Sequence, residues 1–452
     1  MTRTLTSYDG GVVSTPQTVV TPRTVEELQT IMRDRERFPS PVRPMGSFHS
    51  LTPCAASAGT VVDMKRLHTI IAVDTDDMTF TAQAGIEQVD AAAALRARNL
   101  QFMLNIEIGN ATLGSLATCH SKDSLDGVEH GQVSSYVTRI KWVSPSGELM
   151  EASEAESPEL LSLVRSSYGL AGIAYEVTLR IKPLEMVNFG FRVLDVDELS
   201  TAIVDEAIAT NESVVFWTLG RMVAIQTRNR ATRLRNHWIA GMRQRFWARI
   251  GATLARAFQL AGGTRLEGFV GDVWIWVQQL TYRFLSIVGG FSLFDPEKTI
   301  DYRRTPPSGR YAFTFWAFPR DAWVANLKDF LAFRDQHYRA SGFRLNLPLG
   351  SYFIRQDASS VLSYSHAGDI ISIDPIHAPT RRDRAAWEDF LRAFNAWAFA
   401  RGGIPLLNQS PFVEREHVAA AYGERWDTLA EWIAAIDPDR RMVNPFFAEL
   451  LG

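Results

Sequence analysis

The chain has 452 residues, 46% of them apolar and 21% charged, with a formal net charge of −3. This length exceeds one ordinary core and implies two domains or one domain with a large insertion, while the composition excludes a disordered chain and the charge gives no general pull toward nucleic acid. Two cysteines, Cys54 and Cys119, exclude a disulfide framework and a cysteine zinc site; the start MTRTLTSYDGG lacks the apolar run of a secretory signal, and the apolar stretch near Phe284–Phe294 is too short for a bilayer, so a cytoplasmic protein is expected.

Taken in chain order, Thr24-Val25-Glu26-Glu27 fits a capping box opening a first helix through TVEELQTIMRDRE. Short β-rich runs follow: PVRPM, then residues 60–64, 69–73 and 79–85. A second helix is predicted over Gln88–Arg98. Residues 137–143 and 148–152 pair around the turn Pro145-Ser146-Gly147. Ser157-Pro158 caps another helix, with Pro at its first position, and residues 172–182 alternate as a long strand. Residues 1–185 therefore read as a dense α+β unit.

From residue 186 the character changes. Arg221–Arg265 holds ten arginines and no acidic residue. Ile239, Met242, Phe246, Ile250, Leu254 and Ala257 recur there at helical spacing, with Arg243, Arg245, Arg249 and Arg256 between them. A second helix, Val273–Val288, is rich in Trp, Phe and Leu. The pair, residues 236–290, fits a helical unit packed on its own domain with a solvated basic face. The second reading is a basic amphipathic pair lying on anionic lipid, which the Trp and Phe content supports. Residues 310–375 read as strands, notably RYAFTFWAF, GSYFIR and GDIISID. The chain then ends in helices and closes on DPDRRMVNPFFAELL.

Several chemistries lack their motif. No GxGxxG follows a strand, no P-loop, HExxH or GxSxG occurs, and the nine histidines show no ligand spacing. What remains is three turns of glycine and small polar residues at the ends of β-runs: Gly46-Ser47-Phe48-His49-Ser50, Gly109–His120 and Tyr168–Ile173. Gly46 permits a tight turn and close approach to a ligand, and successive backbone N–H groups in such a turn cradle an anion.

Their order resembles the vanillyl-alcohol-oxidase-type (PCMH-type) FAD-binding oxidoreductase superfamily, on "RPMGSFHS", "GNATLGSLATCHS", "VTRIKWVSPSGELMEAS", "YGLAGIAYEVTLRIKP" and the closing "DP…MVNP". Within it the chain is most similar to the aldonolactone and alditol oxidases, while "ATCHSKDS" and "GDIISID" resemble the decaprenylphosphoryl-ribose oxidases. The resemblance implies an α+β fold. Residues 1–185 and 406–452 would form a two-subdomain FAD-binding domain, and residues 186–405 an inserted α+β cap. It implies that Pro44, Met45, Gly46, Ser47, Phe48 and Ser50 wrap the FAD pyrophosphate and that His49 is bonded covalently to the flavin. Asn110, Thr112, Gly114, Ser115, Thr118, Cys119 and His120 would form the second FAD loop, Gly172 and Ile173 the adenine-side strand, and Asn444 the closing signature. Taken by itself Cys119 reads as a small packed thiol, because the motif expected around a second covalent link is absent, and His120 reads equally as a phosphate ligand or a loop residue.

The substrate end departs from this pattern. Gln409 stands where both relatives have a Lys, and Phe353 replaces a Glu two residues before Arg355. Tyr352, Phe353, Leu406 and Leu407 favour a less polar substrate, with Arg355 as the main remaining cation. Strand alternation turns Ser372 toward the ring. Arg355, Gln409 and Ser372 are thus the candidate catalytic residues. Ile106 and Glu107 are bulkier than the small residue usual before the second loop, which leaves oxygen or another electron acceptor open. The expectation is an FAD-dependent oxidoreductase taking hydride from the CH–OH group of a moderately apolar alcohol or lactone, as a tailoring step in secondary metabolism. Two readings stand beside it: a membrane-surface flavoenzyme reaching a lipid-linked substrate through residues 221–290, and a flavin fold with a binding or non-redox role.

Overall fold

Three short hydrophobic runs near the N-terminus assemble first. In the computed structural model, Thr18–Val20, Thr60–Asp63 and Val42–Met45 form a parallel sheet in that spatial order. The structure describes all residues except 1–2, 124–129, 246–256, 258–259, 262–263, 265, 307–309 and 381. Between the first two hydrophobic runs, the helix Val25–Arg33 buries Leu28, Ile31 and Met32. Its capping box is shifted by one residue. Thr24 Oγ1 accepts from the Glu27 N–H at 3.2 Å, but Glu27 reaches back to the Arg23 N–H at 2.7 Å. Ser157 also departs from expectation: its hydroxyl accepts from the Ser153 N–H at 3.1 Å instead of capping the helix Pro158–Arg165.

A second sheet is antiparallel, in the order Leu149–Ser153, Val137–Val143, Ile173–Pro183, Thr79–Gln83, Ile70–Asp74, with Leu100–Phe102 on the far end of Ile173–Pro183. The predicted hairpin is its edge. The C-terminal helices Arg415–Tyr422, Glu424–Ile436 and Pro445–Leu451 return to this unit, and Leu429, Ile433 and Phe447 share a core with Leu28, Val62 and Leu170.

The middle of the chain forms one eight-stranded antiparallel sheet. Its order is Phe291–Phe294, Met186–Asp195, Met222–Ala231, Ser213–Leu219, Leu349–Ile354, Ile370–Ile373, Trp316–Pro319, Ile404–Pro405. One face packs on the helices Trp323–Ser341 and Arg384–Phe399 through Phe216, Trp316, Phe318, Phe353 and Ile371 against Trp323, Phe330, Phe390 and Phe394. The opposite face presents Val215, Ala317, Tyr352, Ile354 and Leu406. Residues 310–375, expected as strands throughout, thus contain a 19-residue helix that ends at Gly342 in the left-handed conformation (φ 72°).

The basic segment is less of a surface than its composition suggests. Arg228 and Arg230 lie on the strand Met222–Ala231, where Arg228 is buried against Asp123, and Arg221, just before it, pairs with Asp195. Arg230 faces Glu185 and Glu212, and Arg243 pairs with Glu107. Phe246, Arg249, Ile250, Leu254 and Arg256 lie outside the described residues. The second predicted helix is present as Glu267–Ile287.

Candidate active site

The three glycine-and-polar turns meet around one open cleft. Arg43 to Ser50 form one wall, residues between Ala111 and Ser121 a second, and Tyr168, Gly169 and Gly172 a third; Phe313, Asn408 and Gln409 close it. Local sterics fix these turns. A Cβ on Gly46 would meet Thr112 Oγ1 at 2.3 Å, so glycine lets the first two turns touch. Gly172 has φ 130°, and its Cβ would lie 2.1 Å from the Val143 carbonyl oxygen.

Arg43 clamps the walls together. Its guanidinium donates to the carbonyls of Cys54 (2.9 Å), Tyr168 (2.5 Å), Gly169 (3.3 Å) and Met442 (2.9 Å), and stacks over Phe447. Burial pushes its pKa down to about 10, so it keeps its charge at neutral pH.

His49 lies flat on Tyr8, with ring centroids 4.2 Å apart and planes at 22°. Its Nε2 is buried with no hydrogen-bond partner. Burial, then the nearby Arg310, lower its pKa to about 3, against a smaller opposing effect of Asn110. The imidazole is therefore neutral at physiological pH, with a free ring nitrogen.

Of the residues singled out in the sequence, the cleft is lined by Pro44, Met45, Gly46, Ser47, Phe48, His49, Ser50, Thr112, Gly114, Ser115, Thr118, Cys119, His120, Gly172 and Gln409. Asn110 lies behind His49. Ile173 is fully buried in the core beneath the turns. Asn444 caps the last helix. Its amide donates to the carbonyls of Pro53 and Ala56 at 2.8 Å, which secures the turn after the first wall.

The substrate-side expectations need correction. Arg355 is exposed and its guanidinium sits over the Phe353 ring. The reason is strand alternation: Tyr352 and Ile354 face the cleft side, so Phe353 and Arg355 turn to the helix-covered side and its solvent edge. Leu407 packs in the core of the C-terminal helices. Ser372 does face the cleft side, yet its hydroxyl is engaged, donating to Asp374 at 3.1 Å and accepting from the Tyr352 N–H at 3.0 Å.

Residues 16–153 match the family model described as "FAD binding domain". They form an FAD-binding domain. Bovine (Bos taurus) L-gulonolactone oxidase is 24% identical over 168 residues, 37% of this chain and 38% of that protein. The mitochondrial cytochrome D-lactate dehydrogenase of Arabidopsis thaliana is 27% identical over 179 residues, 38% and 31% of the two chains. The L-gulono-1,4-lactone dehydrogenase of Mycobacterium tuberculosis is 25% identical over 180 residues, 39% and 40%. The match therefore spans about a third of the length of these curated relatives. The whole fold aligns with cholesterol oxidase of Brevibacterium sterolicum, at TM-score 0.78 and 15% identity, covering 100% of this chain and 97% of that one. The architecture is thus that of this cholesterol oxidase.

The cleft of the FAD-binding domain fits that cofactor on its own chemistry. Buried polar atoms normally find partners. Here His49 Nε2, Asn110 Oδ1, His120 Nδ1, Asn408 Oδ1 and Gln409 Oε1, in or directly against the cleft, have none. Among the described residues, none of the backbone N–H groups of Ser47 to Ser50 has an acceptor, and Phe48 at φ 54° gives this turn the concave form that binds anions.

Sequence reasoning missed Arg43 as a clamp and missed the aromatic wall beside His49. Tyr8 comes from the N-terminus, whereas Tyr302, on a short helical turn, Phe313, on a two-residue strand, and Tyr311, just before that strand, come from more than 250 residues away. No local pattern marks such residues.

His120 sets a pH dependence of the fold. It is fully buried, and burial lowers its pKa to about 4. The unfolded chain binds a proton between pH 6.5 and 4 that the folded chain refuses, so His120 costs stability as pH falls through that window, up to about 3 kcal/mol. Asp374, raised to about 6 by burial, acts in the opposite sense. The difference between the apo forms of the wild type and His120→Gln isolates the histidine. It should shift in favour of the variant between pH 7.5 and 4.5 in urea unfolding.

Proposed function

We propose that this chain is an FAD-dependent oxidoreductase acting on the CH–OH group of a moderately apolar alcohol or lactone. In this reading residues 1–185 and 406–452 hold the cofactor and residues 186–405 cover the substrate. The observation that carries it is the convergence of unpartnered buried polar atoms on the cleft of the FAD-binding domain, beside an aromatic wall. When bound, FAD supplies a two-electron acceptor for hydride. The turn from Ser47 to Ser50 would hold the pyrophosphate with its free N–H groups, and Gly46 keeps that turn against Thr112. His49 would fix the ring end, covalently through its free Nε2, while Tyr8 limits its rotation. Tyr8, Tyr302, Tyr311 and Phe313 exclude water and select apolar substrate surface. Gln409 presents an amide that orients a hydroxyl but takes no proton. Anaerobic mixing with secondary alcohols, lactones and sugar alcohols tests this: the flavin absorbance should bleach with an apolar member of the panel and not with the sugar alcohols. A purified protein that binds no flavin would overturn the reading.

A second reading, peripheral contact with a membrane, is favoured by the helix Glu267–Ile287. Phe269, Val273, Trp276, Leu280, Phe284 and Ile287 are exposed along it, Phe269 at 67% and Ile287 at 84%. Four nearby arginines are paired to carboxylates, so the attraction would rest on apolar insertion more than on charge. No helix among the described residues is long and apolar enough to cross a membrane. Co-sedimentation with phosphatidylglycerol vesicles should persist in 0.5 M salt in the wild type and fall several-fold in Phe269→Ser/Trp276→Ser.

A further inference from the structure

Where the relatives place a lysine, this chain has Gln409, and the proposed reaction still needs a group to take the hydroxyl proton. Another buried cation, Lys122, lies directly behind the cleft lining, against Phe313. Lys122 follows His120 and Ser121, which line the cleft, and Asp374 comes from the end of the strand Ile370–Ile373. Their side chains form an ion pair and retain only 9% and 1% exposure. The Lys122 Nζ is ringed by aromatic faces, 4.2 Å from the Phe315 centroid, 5.1 Å from Tyr352 and 5.2 Å from Phe313, which itself lines the cleft. Asp374 Oδ2 also accepts from Ser372, while its Oδ1 is buried with no hydrogen-bond partner.

We propose that Lys122 receives the substrate hydroxyl and that Asp374 is the final acceptor of its proton. This rests on the oxidoreductase reading above. An Nζ–H bond of Lys122 breaks as an O–H bond forms on Asp374 Oδ2, which frees the amine lone pair. The O–H bond of the substrate then breaks and a new N–H bond forms on Lys122 Nζ. The two electrons of the C–H bond would leave with the hydride, for which FAD, when bound, supplies the acceptor. Lys122 ends as the ammonium it was, facing the carbonyl product, and Asp374 ends neutral.

The surroundings suit that exchange. A buried ion pair costs desolvation without a clear gain in stability. Burial draws both partners toward their neutral forms, lowering Lys122 and raising Asp374 to about 6. The other charges facing Lys122 are Glu107 and Asp123. Glu107 is held by Arg243 and lies 3.7 Å from Arg228; Asp123 is held by Arg228 and Lys298. Those carboxylates are neutralised, whereas Asp374 is shared with Lys122. The rings shield the ammonium from water without competing for its hydrogens.

Benzoate, an apolar carboxylate, serves as an oxyanion probe, with binding to the purified holoprotein followed by titration calorimetry. The wild type and Lys122→Arg should bind it within about threefold of each other, and Lys122→Met at least tenfold more weakly. With a substrate found in the alcohol panel, the acid limb of kcat/KM near pH 6 should vanish in Asp374→Asn, because a carboxylate that must be ionised loses its role as pH falls through its pKa. Equal benzoate affinity in Lys122→Met and wild type, or an unchanged acid limb in Asp374→Asn, overturns the proposal. If Lys122→Met does not fold, the acid limb of Asp374→Asn decides alone. Failure of the wider reading looks different: no flavin is bound, or no alcohol bleaches it.

Discussion

Arg43→Met should cost the apoprotein about 3–5 kcal/mol in urea unfolding, the scale of breaking a buried hydrogen-bonded charge. The variant deprives four backbone carbonyls of one shared donor, on Cys54, Tyr168, Gly169 and Met442. Arg43 itself is only 1% exposed. Arg43→Lys should recover only part of the loss, since an ammonium has three donors and no planar fork. The effect should reach beyond stability. The four carbonyls belong to the turn after the first wall, the third wall and the C-terminal segment, so losing the clamp loosens the cleft, and FAD affinity should fall in parallel. Arg35→Met, which removes an exposed pair with Asp439, is the matched control and should change stability by less than about 1 kcal/mol. A loss of similar size in both variants would show that Arg43 does not act as a clamp.

The contrast between these arginines shows what the sequence could and could not say. The cofactor end was legible because its signals are local. Gly46, Gly114 and Gly172 stand where backbone or side chains approach too closely for a Cβ, and each lies within a few residues of the polar groups it positions. The hairpin at 137–153 and the helix after Thr24 were legible for the same reason. The middle of the chain was not. The strand Ser213–Leu219 is buried at every position, so it shows no alternation to read. The helix Trp323–Ser341 carried a usable signal, with Trp323, Leu327, Phe330 and Leu331 on one face and Gly342 as its stop, but it lies between strongly β-like runs. The misplacement of Arg355 came from treating the neighbours Tyr352 and Phe353 as one pocket, although consecutive residues of a strand face opposite ways. Lys122 and Asp374 are 252 positions apart, and Arg43 and Met442 are 399 apart; only the fold brings them together.

His49→Ala separates cofactor retention from folding. In the wild type the yellow colour should remain with the protein after acid precipitation, and in His49→Ala all flavin should pass to the supernatant. The argument is chemical. A histidine forms a bond to carbon only through an unprotonated nitrogen, and burial holds the His49 pKa near 3, far below neutral. Its Nε2 has no protein partner to give up, and the Tyr8 stack keeps the imidazole in one orientation. Tyr8→Ala should therefore leave part of the flavin unattached rather than all of it. The fold itself should barely notice the loss of His49. The alanine gives up a stacked pair worth about 0.5–1.5 kcal/mol and no hydrogen bond through Nε2. Apo His49→Ala should thus unfold within about 2 kcal/mol of the wild type while losing every trace of acid-stable colour. Arg43→Met should lose stability and flavin together. If His49→Ala kept acid-stable colour, the attachment would lie elsewhere, and the free Nε2 would have to serve as a hydrogen-bond acceptor to the bound ring.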